Sequence, residues 1–220
     1  MPGIEFSTGY LRKELHILAL FVPEAAYPAI NGLVAQYARR KEESNLALIA
    51  ALCRAGYVLD YDAIKSATPD GRVNRAHIAA ALTGAGYTPT IDHAFGSLLH
   101  PGGPFYQPPA RPDVFAVLSF IQEIGALSVL AHPFLNLNAA ALRAFLDRAV
   151  PAGLRGMETR YSLYTPETEA LATKIAVEYG LLPSGGSDYH GSNKPDIALG
   201  TGKGNLRGPL AFLENLRAGL

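Results

Sequence analysis

The sequence predicts an α/β fold in which short strands alternate with outer helices and a helical segment is inserted between two strand-bearing parts. Three observations carry this prediction. Apolar, strand-like runs end in chemically active residues at Glu5, His16, His132 and Asp188. A stretch rich in Ala and Leu at helical spacing separates the second run from the third. Beyond the Gly- and Pro-rich segment Pro101–Pro109, strand and helix patterns alternate, which implies parallel strands with helices packed outside them.

Taken in order, Gly3-Ile4-Glu5-Phe6-Ser7 and Lys13–Phe21 read as two strands, the second ending near Val22. From about Pro28 to Arg54 the pattern is helical, with Gly56 placed as a C-terminal stop. Asp60 caps a short helix to Ala67, Thr68-Pro69-Asp70-Gly71 reads as a turn, and Asn74 caps a helix through Ala85 before Gly86. A further short helix is expected over Ile91 to Leu99. After the Pro101–Pro109 loop come a helix from Pro112, the strand before His132, a helix from Asn138, the strand carrying Glu158, a helix with Pro166 in its first turn, and the strand before Asp188. The expected organisation is a barrel-type part at 1–25 and 105–220, with a helical insertion at 26–104 covering the site.

At 220 residues, 49% hydrophobic and 17% charged, the chain is long enough for one sizeable core. The single Cys53 has no internal disulfide partner and, in the pattern Leu48–Cys53, is expected to be a buried small apolar residue. A cytoplasmic setting follows, since neither a cleavable leader pattern nor an apolar run of about 18 residues is present. With 19 basic and 19 acidic residues the net charge is zero, which argues against broad duplex binding but leaves small nucleotides and strand ends open. Arg39-Arg40-Lys41, followed by Glu42 and Glu43, reads as a solvated helix face with local ion pairs.

The chemistry concentrates at the strand ends. In Gly185–Gly191 an extended backbone would point Asp188 and His190 the same way, as a metal pair requires, and the glycines would let the chain approach a ligand. An Asx-type turn with an incidental histidine is the alternative. Glu5, His16, His132, Asp188 and His190 together make a nitrogen and oxygen ligand set without a useful thiol, suited to manganese, zinc or iron. Arg75 and His77 stand at a helix start, where exposed N–H groups and the dipole favour an anion; a surface arginine beside a capping histidine is the simpler reading. Tyr106 and Tyr189 are candidates for stacking on a base or sugar, or for packing alone.

The phrases Gly3-Ile4-Glu5, Glu14-Leu15-His16-Ile17-Leu18, Arg75-Ala76-His77-Ile78-Ala79, Ala131-His132-Pro133, Gly156-Met157-Glu158 and Gly185–Gly191 resemble, in order and over nearly the whole chain, the polymerase and histidinol phosphatase (PHP) superfamily. The resemblance implies a distorted (β/α)7 TIM-like barrel, here incomplete, and a small phosphoesterase acting on nucleotides or RNA ends through metal-bound hydroxide, with manganese the expected metal. It implies that Glu5, His16 and His132 form the full protein ligand set of one metal position. Glu5 and Asp188 are then half of a second position, and His190 the remainder of a third. Asp188, His190 and His132 would be catalytic, Arg75 and His77 would grip substrate phosphate, and Glu158 would shape the cleft. The family's leading His-x-His strand, aspartate and further histidine have no counterpart here, so an N-terminally incomplete enzyme is expected. Its open barrel edge would invite self-association. A degenerate, non-catalytic metal-binding or interaction module is the alternative.

Overall fold

In the computed structural model, which describes residues 1–68, 70–191 and 194–220, the first two strands form a hairpin. Leu11 and Arg12 both take positive φ, 46° and 65°, and turn β1 (Gly3–Tyr10) directly back on β2 (Lys13–Leu20). A two-residue turn of this hand matches strand twist and leaves no length for a crossover, so the pair is antiparallel. β2 also runs antiparallel to β3 (Leu127–Ala131), whereas β4 (Gly156–Tyr161) and β5 (Leu182–Gly186) continue in parallel, giving the order β1-β2-β3-β4-β5. The sheet is therefore mixed, and the expectation of parallel strands holds only from β3 onward.

Alternation along the hairpin separates core from chemistry. Phe6, Thr8 and Tyr10 on β1, with Leu15, Ile17 and Ala19 on β2, are buried on one face. Glu5 and Ser7, with Glu14 and His16, occupy the other, since Ser7 pairs with His16 and side chains two apart share a face. The buried face is covered by α5 (Val114–Glu123), which Asp113 caps, and Phe6 meets Phe120 edge-on at 6.2 Å. α6 (Ala139–Ala149), capped by Asn138, and α7 (Pro166–Glu178), capped by Thr165, bury Leu142, Phe145, Leu146, Ala172 and Ile175. The C-terminal helix α8 (Leu210–Ala218) was not expected; its Leu216 packs on Leu127 and Val129.

The chain divides into two compact units, Met1–Ala29 with Arg111–Leu220, and Ile30–Ala110. The second is helical: it holds α1 (Tyr27–Arg54) from Ile30 on, α2 (Tyr61–Ser66), α3 (Arg75–Gly84) and α4 (Ile91–Ala94), the last continuing as a π-helical turn over Phe95–Leu99. Leu48, Ile49 and Leu52 pack with Ile78, Leu82 and Leu99 in its core. Cys53, one step around the helix from Leu52, is exposed rather than buried, because the apolar stripe of α1 passes through its neighbour. Glu42 pairs with Lys65 at 2.6 Å rather than with the basic run on its own helix. Of the expected turn at 68–71, Pro69 lies outside the described residues; Gly71 donates to the Thr68 carbonyl. Among the described residues no helix is long and apolar enough to cross a membrane.

Candidate metal centre

The register of β1, β2 and β3 brings three distant residues together. His16 lies opposite Ala131, the residue before His132, and two steps from Leu18, the partner of Glu5. Glu5 Oε1 is the common point: His16 Nδ1 stands 2.6 Å from it and His132 Nε2 3.4 Å. The two imidazole rings meet edge-on at 4.9 Å, and Tyr161 flanks His132 at 5.2 Å. One donor atom from each of Glu5, His16 and His132 lies within 4.8 Å of the others, the one such group among the described residues. Two imidazole nitrogens and a carboxylate oxygen fit a divalent metal of the manganese, iron or zinc type.

Charge agrees with that geometry. Hydrogen bonds from His132 and His16 hold Glu5 well below the usual carboxylate range, while its bond to Glu5 raises His16 above the ordinary imidazole value. Glu5 is thus ionised and ready to bind a cation.

Glu158 supports the centre from below. Buried and 5% exposed, it accepts the His132 backbone N–H at 2.7 Å, and burial pushes its carboxyl up to about 7 against that bond's lowering effect. His132 sits in the left-handed region, φ 27° and ψ 55°, a conformation that costs a non-glycine residue about 1–3 kcal/mol and clusters at functional sites. Gly186 makes room for this arrangement, since a Cβ there would lie 2.6 Å from Glu158 Oε1.

The second half of the expected ligand set is arranged differently from the sequence reading. β5 ends at Gly186, and Asp188 takes φ 55°, so the segment is not extended and the alternation argument fails there. Asp188 Oδ2 accepts from Tyr161 Oη at 2.8 Å and from Lys194 Nζ at 2.6 Å. His190 turns back on it, with Nδ1 2.9 Å from the Asp188 carbonyl and 3.2 Å from Oδ1. Asp188 nevertheless lines a cavity of about 380 Å³ shared with Glu5, His132, Glu158 and Ser184; His190 does not line it. Residues of α8, Phe212, Leu213 and Leu216, close its apolar side. Neither Tyr161 nor Lys194 was singled out from the sequence, which offers no signal for residues whose role is to hold a neighbour.

In the helical unit, Arg75 and His77 make local contacts. Arg75 donates to the Leu99 carbonyl at 3.0 Å and its guanidinium lies 4.4 Å over the Tyr106 ring. His77 Nδ1 accepts from the Asn74 backbone N–H at 3.2 Å, completing a reciprocal cap of α3. Tyr106 is buried under Arg75, whereas Tyr189 is exposed.

No protein-family model matches the chain. Among characterised proteins it is 32% identical over 193 residues to the phosphoribosyl 1,2-cyclic phosphate 1,2-diphosphodiesterase of Eggerthella lenta, covering 86% of this chain and 72% of that one. It is 27% identical over 191 residues to the 5′-3′ exoribonuclease Rnm of Salmonella typhimurium, and 24% identical over 192 residues to the 3′,5′-nucleoside bisphosphate phosphatase of Chromobacterium violaceum. These alignments cover 86% of this chain but 65% and 67% of the two enzymes. Two solved structures share the fold: one assigned as a metal-dependent phosphoesterase from Bifidobacterium adolescentis, with TM-score 0.69 and 23% identity over 99% of this chain and 75% of that one. The other is described as an amidohydrolase from Chromobacterium violaceum, with TM-score 0.70 and 22% identity over 99% of this chain and 76% of that one.

Proposed function

Because this chain belongs to the PHP superfamily of metal-dependent phosphoesterases, we propose that it hydrolyses phosphate esters of nucleotides or of RNA or DNA ends at the cavity lined by Glu5, His132 and Asp188. The observation that carries the reading is the convergence of Glu5 on β1, His16 on β2 and His132 just after β3, with Glu5 and His132 lining that cavity. A divalent metal held by these three residues supplies polarisation of a phosphoryl oxygen and activation of water. Manganese is our choice, with zinc and iron compatible with the same donors.

In this reading Asp188, His190 and His132 are the catalytic residues, with Asp188 and His190 serving further metal positions. Arg75 and His77 grip the substrate phosphate. The named substrates of the relatives share a ribosyl or nucleotide phosphate ester, which is the chemistry we carry over. We read the five-stranded sheet as part of a distorted (β/α)7 barrel, with copies able to associate along β1, its outermost strand. A cytoplasmic setting belongs to the same proposal.

The test is manganese-dependent phosphate release from a nucleoside 3′,5′-bisphosphate and from short RNA by the purified chain, beside Asp188→Ala. Turnover lost in the variant supports the proposal. Bound manganese with no turnover of either ester overturns it in favour of a non-catalytic metal-binding module.

A further inference from the structure

Glu14 lies in the same strand as His16, on the same face, and neither the ligand set nor the proposed chemistry uses it. Its Oε1 stands 3.3 Å from His16 Nε2, the ring nitrogen opposite the one that faces Glu5. The carboxylate is itself held from two sides: Ser7 Oγ donates to Oε1, and Arg111 Nη2 donates to Oε2 at 2.6 Å. Its backbone carbonyl accepts from Asn136 Nδ2 at 2.8 Å, and Lys13 Nζ reaches the Asn136 carbonyl at 2.7 Å, which ties the strand to the turn following His132. Arg111 opens the second segment of the sheet-bearing unit, and next to it Pro112 accepts from the Gly9 backbone N–H at 2.8 Å.

An imidazole that binds a metal through one nitrogen carries its proton on the other, and an acceptor for that proton fixes both the tautomer and the ring plane. We propose that Glu14 is the positioning residue of the metal centre: it accepts a hydrogen bond from His16 Nε2–H, so that with a metal bound in place of the Nδ1 proton the Nδ1 lone pair is held towards the side of Glu5 and His132, and it is itself clamped by Arg111 and Ser7. This rests on the reading of Glu5, His16 and His132 as metal ligands. It assigns the charge pair at Glu14 and Arg111 to ligand orientation rather than to fold stability alone, because an exposed ion pair by itself contributes little.

The experiment is calorimetric titration of Mn²⁺ into the metal-stripped chain and its variants, with melting of each stripped protein recorded separately. Glu14→Ala is expected to weaken Mn²⁺ binding by about 10–100-fold. Glu14→Gln keeps an acceptor for Nε2–H and is expected to lose less than about tenfold. Arg111→Ala, which frees the carboxylate, should fall between wild type and Glu14→Ala. The stripped Glu14→Ala and Glu14→Gln proteins should melt together, so that the gap in affinity between them reports orientation and not folding. Wild-type affinity in Glu14→Ala overturns the proposal, as does equal loss in Ala and Gln. If Glu14→Ala does not fold, wild-type affinity in Arg111→Ala overturns it instead. His16→Ala separates the two levels: if it binds Mn²⁺ like wild type, the ligand assignment itself is wrong.

Discussion

The backbone N–H of His132 donates to Oε2 of Glu158 across 2.7 Å, joining the end of β3 to a carboxylate buried in β4. That bond holds His132 in a left-handed conformation which a non-glycine residue rarely adopts, and so fixes where its ring emerges. Glu158 thus meets the centre through the His132 backbone.

The burial of Glu158 gives a pH dependence. Its folded value of about 7 lies above the ordinary 4.5, so the unfolded chain ionises first as pH rises. The carboxylate therefore takes stability away progressively between pH 4.5 and 7, and fully above that window, by about 3 kcal/mol for a shift of this size. Glu158→Gln, which stays neutral, should stabilise the metal-stripped protein at pH 8 and make little difference at pH 4.5. Urea unfolding at the two pH values decides; an equal effect at both would contradict the assignment.

Metal removal should be visible in stability. At a Mn²⁺ concentration about one hundred times its Kd, binding to the native state adds about 2.7 kcal/mol. That increment should vanish with chelator and in Glu5→Ala, His16→Ala and His132→Ala. Because Glu5 raises the His16 pKa, protons compete with the metal beyond the usual imidazole range, and Mn²⁺ affinity should climb as pH rises through that raised value. Melting temperatures with and without EDTA across pH 6 to 8.5 check both statements.

Gly186→Ala should cost about 1–3 kcal/mol and weaken metal binding, since its Cβ would displace the Glu158 carboxylate that holds His132. Gly84→Ala on α3, whose new Cβ would meet nothing within 4 Å, is the contrast, expected to be neutral or to stabilise by up to about 1 kcal/mol. Chemical unfolding of the two variants side by side tests the difference; similar losses would discount the close approach at Gly186.

For Arg75, two roles make different predictions. Arg75→Ala removes the stack on Tyr106 and the bond to Leu99, for a loss of about 1–2 kcal/mol of stability. If Arg75 also grips substrate phosphate, KM for a nucleoside bisphosphate should rise with Mn²⁺ affinity unchanged. A stability loss with unaltered KM would restrict it to packing.

Much of the chain is legible in its sequence. Helix caps at Asp60, Asn74, Asp113, Asn138 and Thr165 are local chemistry, in which a side-chain oxygen accepts N–H groups two or three residues on, and the helices begin there. Of these, the sequence pattern marks Asp60 and Asn74 as caps, and the helix over Val114–Glu123 starts just after the expected Pro112. Glu5, His16 and His132 stand out because each accompanies an apolar strand pattern and their residue types carry metal chemistry, although Glu5 and His16 lie within β1 and β2 rather than at strand ends, and only His132 follows one.

The rest depends on the folded chain, because pairing and burial are not local properties. Whether β2 meets β3 antiparallel, and in a register that sets His16 beside Ala131, depends on residues more than a hundred apart in the chain. The φ of 55° at Asp188 undid the extended reading of that phrase, and Tyr161 and Lys194 claimed its carboxylate. Glu158 looks like any strand carboxylate in the sequence; only burial against the His132 backbone moves its proton affinity. Residue types and helix starts follow from local sequence alone. Folding determined which of them share a face, a charge and a cavity, since those follow from through-space distance and exclusion of water.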